Sequence, residues 1–371
     1  MIADDQNRPF QPDDYEQLFV LMFLAISNLV QDGDDAYAYA NQITELQSSI
    51  ERRIQSTQNK LVAIPSQTDR KTAGSEKPSG IAQASHSESK TELPPIQFKQ
   101  IALAPFIAAL LHEQTHRDYD SAERYYAKTV KFDSTFQEGV AGLHRARNGH
   151  HSQKGNGVLY VFAGIGKGPY KVEQAEMPTS HAMLIADRIL SQTGKHTLPP
   201  TIAPIKTSRV RVPKNAIRSL RVIVNQEAVG ETQTVSDLGQ IAIEQNEAKH
   251  SQEMARAIVR RIVKKSAIYA GKDALGTQNN SWVDLLVNVG GVLWEASETA
   301  DTRCWGLLPE KIQVLRVELP VGRHEINLIP IGDSSSGANT ASVEIRDGSN
   351  SYLYASFPTG KIAGKILVSQ K

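Results

Sequence analysis

Apolar positions recur at helical spacing over roughly the first 150 residues of this chain. Beyond that they change to period-two alternation and short unbroken runs. Leu18, Met22, Ile26 and Leu29 fall on one face of a helix that Asp13 and Glu16 open as a capping box. Gly33 makes a turn, and Ala36, Ala38 and Ala40 lead through Ile43 and Leu46 into a second helix, so residues 1–54 predict a helical hairpin. Residues 55–96 break the pattern: they are rich in Ser, Lys and Thr, carry too few apolar groups to offset the entropy of ordering, and predict a disordered polar insertion. Residues 97–150 predict a second hairpin plus an extra helix. Its first helix ends near Arg117, its second is opened by Asp120 and Glu123 at about Ser121, and the third runs from about Thr135 to Arg147.

Residues 155–371 predict an α+β region that ends in an antiparallel, sandwich-like sheet. The unbroken run VLYVFAGI at 158–165 is a strand buried on both faces. Further strands are expected at 170–175, 201–205, 208–212 and 220–224, then at 313–319, 323–330, 341–347 and 351–357. Helices are expected at 183–190, 252–270 and 281–298. Asp347–Gly348 between two alternating runs is a strong hairpin signal.

Composition narrows the function classes. Forty-one basic and forty acidic residues among 371 give a net charge of +1, so no bulk field draws nucleic acid, and no interleaved aromatics offer base stacking. No apolar run reaches bilayer length. The lone Cys304 excludes an internal disulfide and a multi-cysteine metal site, and no cofactor motif is present. Gly164, Gly166 and Gly168 follow a strand as in a phosphate loop, but no helix N-terminus comes next; a glycine-rich turn is the expectation.

The segment PFIAALLHEQTHRDYDSAERYYAKTVKF, residues 105–132, reads two ways. His112, Glu113 and His116 form H-E-x-x-H, which on a helix places two imidazoles on one face beside a glutamate base, as zinc hydrolases require. Glu138 is the candidate third ligand in that alternative. Read as architecture, the same residues close the first helix of a hairpin resembling a tetratricopeptide unit, with small Ala122 at the crossing of the second helix. We favour the second reading. Arg117 and Asp118 are charged where a zinc helix continues into an enzyme core, and the capping signal at Asp120 ends the helix beside His116. The expected function is a non-enzymatic scaffold with a groove for a peptide or protein partner, lined by Phe106, Leu110, Tyr119, Tyr125 and Tyr126. A basic stripe of Arg256, Arg260, Arg261, Lys264 and Lys265 lies opposite Ile258, Val259, Ile262 and Val263. It reads as a solvated helix face or as a peripheral contact with anionic lipid. His144, His150 and His151 read as solvent-exposed.

Asp301, Thr302, Arg303, Trp305, Leu308 and Pro309, followed by a strand ending in Pro320-x-Gly322, form the most family-like phrase. It resembles the closing motif of an uncharacterised group of bacterial cell-envelope, lipoprotein-like proteins. Val158 to Glu176, the basic helix at 255–265 and the opening DDYEQLFVLMFLAISNL are also similar to that group. The resemblance implies a tetratricopeptide-like half joined to a β-rich half, and it brings no catalytic residue. Physically, Arg303 and Asp301 suit a bidentate ion pair at the entry to the β layer, with Trp305 as a buried anchor. Members of that group usually begin with an export signal and usually carry serine in place of Cys304. The opening MIADDQNRPFQPDDYE reads as cytoplasmic as written, and as periplasmic or envelope-bound if a signal stands upstream.

Overall fold

The computed structural model describes residues 9–31, 33–63, 100–193, 203–274, 299–332 and 339–369. Its N-terminal elements are helical. Helix α1 (Asp14–Gln31) is opened by the Glu16 carboxylate, which accepts the backbone N–H of Asp13 at 2.7 Å. Gly33, at φ 81°, turns the chain into α2 (Ala36–Ala63). That helix runs past the expected boundary at 54, because Ile50 and Ile54 still pack inward and no helix breaker precedes Pro65. The rest of the expected insertion, 64–96, lies outside the described residues. Helices α3 (Leu103–Glu113), α4 (Tyr119–Phe132) and α5 (Gln137–Arg147) follow. Asp118, not Asp120, caps α4: its side chain accepts the N–H of Ser121, and the helix begins two residues earlier than expected.

The central five-stranded sheet comprises β1 (Asn156–Ile165), β6 (Gln233–Asp237), β7 (Lys311–Pro320), β10 (Asn350–Phe357) and β11 (Leu367–Val368), in the order β11-β10-β1-β7-β6. Within it β1 and β10 are parallel, with Val158 opposite Asn350, and the other pairs are antiparallel. A second sheet has the order β5-β4-β8-β9, from β4 (Ser219–Val224), β5 (Glu227–Glu231), β8 (Gly322–Ile331) and β9 (Thr340–Ile345). Strand β1 is covered on both sides. Val158, Tyr160 and Phe162 join the helical core, while Leu159, Val161, Ala163 and Ile165 join the core against the second sheet. The molecule is therefore α+β, with helices, sheet and sheet in three layers. The change of pattern near residue 150 marks a change of element type, for one hydrophobic core runs across it.

A side unit is built from the hairpin β2 (Tyr170–Glu176) and β3 (Ile205–Arg211), packed on α6 (Ser180–Thr193) and α7 (Leu238–Ala274). Among the described residues of the two expected strands, 203–212, one strand, β3, is present, and α7 begins well before residue 252, with Asp237 accepting the N–H of Gln240 at 2.9 Å. The helix expected at 281–298 lies outside the described residues. Asp347–Gly348 reverses the chain without forming a hairpin: β9 pairs with β8, β10 pairs with β1, and the turn carries the chain from one sheet to the other. The two-residue hairpin is instead Asn225–Gln226, both at positive φ, between β4 and β5.

Candidate functional site

Helix α3 ends at Glu113, and this end decides the chemistry of the H-E-x-x-H segment. Glu113 is 0 % exposed. One carboxylate oxygen accepts the Tyr126 hydroxyl of α4, and the other accepts Arg145 Nε of α5 at 2.8 Å. Arg145 reaches on to Glu138 at 2.6 Å. One buried carboxylate thus ties α3, α4 and α5 together, and both of its oxygens are occupied. Close packing supports the tie: a Cβ on Gly142 would fall 2.3 Å from the Tyr126 ring. Burial, followed by the charges of Tyr160 and Glu113, holds the Tyr126 phenol well above its ordinary range, so it stays protonated and donates.

The two histidines do not share a helical face. His112 lies in the last turn of α3, with Nδ1 2.8 Å from Asp118, and its ring stacks on Tyr125 with centroids 5.4 Å apart. Tyr37 of α2 stands at 90° to that ring, and its hydroxyl meets that of Tyr125 at 3.0 Å. His116 lies beyond the helix in a left-handed conformation, φ 57°, with Nε2 2.6 Å from the Gly348 carbonyl and its ring 4.6 Å from His151. Glu138, the expected late ligand, is the second carboxylate on Arg145. Among the described residues no three His, Cys, Asp or Glu side chains converge as a metal site.

His151 corrects another expectation. It is 2 % exposed, and its Nε2 lies 2.9 Å from the Asn350 side chain, while His144 and His150 remain in solvent. Burial lowers its pKa, partly opposed by Asn350 and Glu113, and His116 and Arg316 lower it further. The unfolded chain then takes up a proton near pH 6.5 that the native state refuses. The corresponding stability is present above that pH and is lost as pH falls toward the depressed native value. The loss of melting temperature between about pH 7 and 5 should therefore be smaller in His151→Gln than in the parent. Equal losses in the two proteins would remove His151 from the account.

Of the five expected groove residues, Phe106, Leu110 and Tyr126 are fully buried and line no open surface. Phe106 packs edge-on against Tyr126, Phe136 and Tyr160, the last on β1. The sequence carried a signal for this: LAPFIAALL is apolar on every side, as a helix covered all round must be. Tyr119 and Tyr125 are half-buried at the surface, joined by Tyr37, which sequence reasoning did not select.

In the Asp301–Pro309 phrase, Arg303 Nε and a terminal nitrogen bind the two Asp301 oxygens at 2.9 and 2.7 Å. Trp305 packs edge-on against Phe19 of α1, its backbone N–H donates to Glu16 at 2.6 Å, and Pro309 is buried. The phrase thus fastens the first helix to the strand that follows. The ion pair is partly open to solvent, and the indole, half-buried where a buried anchor was expected, packs against the core, so Trp305→Ala should cost about 2 kcal/mol. Arg303→Ala should cost less. Thermal melting of the two variants checks that order, and the reverse order would contradict it.

A concavity lies elsewhere among the described residues. A cavity of about 750 Å³ opens between the approach to α1, the β2–β3 hairpin, α7 and the chain at Asp301. Lys249, Glu253, Arg256 and Arg260 line it from one face of α7, Lys171 and Lys206 come from β2 and β3, and Tyr15, Ile189 and Val259 supply apolar wall. The expected basic stripe does not survive as a unit. Arg256 and Arg260 line this cavity, and Arg261 is 6 % exposed and donates to the carbonyls of Ala203 and Pro204. The side chains of Lys264 and Lys265 lie outside the described residues. Among the described residues no helix is long and apolar enough to cross a membrane. Comparison with protein-family models, with curated proteins and with solved structures finds no match.

Proposed function

We propose that this protein is a non-enzymatic scaffold that receives a peptide segment of a protein partner. The observation that carries this reading is the state of Glu113, whose carboxylate is buried and bound on both oxygens as a joint between three helices. A general base needs an oxygen within reach of a substrate proton, and neither oxygen here is available for that role. The partner-facing surface in this reading is the corner where Tyr37 stands across the stacked His112 and Tyr125. Rigid aromatic faces with polar tips take up an extended peptide at little entropic cost. Placement at the bacterial envelope is part of the proposal and rests on the resemblance carried by Asp301 to Pro309.

Two measurements test it. Metal analysis of protein purified without chelator should give no stoichiometric zinc; one zinc per chain that is lost in His112→Ala would replace the scaffold with a zinc hydrolase. Peptides selected by display against the purified protein should lose binding to a Tyr37→Ala/Tyr125→Ala variant that melts like the parent. Undiminished binding would move the partner site elsewhere.

A further inference from the structure

Charged and uncharged groups in the wall of the cavity beside α7 are in opposite conditions. Among the described residues, its lysines are engaged: Lys171 holds Asp13 at 2.7 Å, Lys249 holds Asp14 at 2.6 Å, and Lys206 lies 3.2 Å from Glu173. Asp301 is taken up by Arg303. The uncharged groups lack such partners. Tyr15, 2 % exposed, and Gln245, 7 % exposed, both border the cavity. Neither the phenol oxygen nor either amide atom meets a hydrogen-bond partner in the protein, and the Ser208 hydroxyl in the same wall is buried without one.

These three residues gather at one end of the cavity. Asn246, next to Gln245 on α7, donates to the Ser208 carbonyl of β3 at 3.2 Å. Lys249, one turn further along, carries Asp14, the neighbour of Tyr15. A buried hydrogen-bonding group without a partner costs stability, so four such atoms beside a space of about 750 Å³ need an occupant that meets them. Burial, followed by the charges of Glu16, Asp13 and Cys304, holds the Tyr15 phenol above its ordinary range, so it keeps a proton to donate.

We propose that this end of the cavity binds a small neutral ligand through a carboxamide, which the Gln245 amide turns to meet, with the Tyr15 and Ser208 hydroxyls as further partners. A primary amide carries a donor and an acceptor side by side, as Gln245 does, so the two pair reciprocally. A charged head would lose its hydration without gaining an opposite charge, because the lysines and carboxylates named above already satisfy one another. The site goes beyond the scaffold reading and stands or falls separately from it.

Calorimetric titration of the full chain tests it, with benzamide as the probe and with benzoate and benzylamine as an anion and a cation of the same shape. Benzamide should bind one to one and more tightly than either control. Gln245→Leu, which keeps the volume and removes the hydrogen-bonding atoms, should weaken benzamide about fivefold or more, the scale of a hydrogen bond left unmade. It should melt no lower than the parent, because the amide it removes had no partner in the protein. Tyr15→Phe should weaken benzamide about threefold and likewise melt no lower. The proposal is overturned if benzamide gives no binding heat up to millimolar concentration, which leaves these groups to solvent water, or if benzoate or benzylamine binds as tightly. Full affinity in both variants would also overturn it. So would two variants that melt well below the parent, since the groups they remove would then have partners inside the protein.

Discussion

Replacing Glu113 with alanine should destabilise the protein by about 3–5 kcal/mol, the scale seen when one partner of a buried ion pair is removed and the other is left behind. The reason lies in what remains. Arg145 keeps its charge at a site that is largely closed to water, with Glu138 as its surviving carboxylate partner, and the Tyr126 hydroxyl loses its acceptor inside the core. Glu113→Gln should cost less, because an amide still offers a carbonyl oxygen to one of the two donors. Denaturant unfolding of both variants checks the order. If Glu113→Ala unfolds like the parent, the carboxylate does not join the three helices.

Replacing Phe106 with alanine should cost a similar amount, about 3–5 kcal/mol, and should act on stability alone. Its ring meets Tyr126 of α4, Phe136 at the entry to α5, and Tyr160 of β1, with centroids 6.1, 5.1 and 6.2 Å away. Removing it opens a cavity where the helical layer meets the sheet, and the surrounding rings are too large and too constrained to collapse into it. A residue lining a groove would show the opposite pattern, with an unchanged melting temperature and lost partner binding. Calorimetric melting of Phe106→Ala distinguishes the two.

Much of the architecture could be read from local signals. The capping box at Asp13 and Glu16, the turn at Gly33 and the doubly buried run from Val158 to Ile165 each encode their element within a few residues. The bidentate Asp301–Arg303 pair is equally local, two residues apart on a loop. What depends on distant partners could not be read in the same way. Asp347–Gly348 announces a reversal of the chain, but turn chemistry does not say which strand the chain will join. Strand β10 pairs in parallel with β1, far away in sequence. Arg145 looks like any basic residue in the last turn of a helix, and only the packing of α5 on α3 gives it Glu113. The cavity draws Asp13, Lys171, Glu253 and Asp301 from four separate parts of the chain, so no motif marks it. Phe106, Leu110 and Tyr126 were misplaced because helical spacing identifies an apolar face without naming what covers it. Here Phe106 is covered by Tyr126 of α4, Phe136 at the entry to α5 and Tyr160 of β1.

A double-mutant cycle between Glu113 and Arg145, measured by denaturant unfolding of Glu113→Gln, Arg145→Met and the double variant, tests the central claim most directly. The account predicts a coupling of about 2 kcal/mol or more, with the double variant losing much less than the sum of the singles. Additive losses would show that the two residues do not depend on each other, and Glu113 would no longer be the joint of the helical layer.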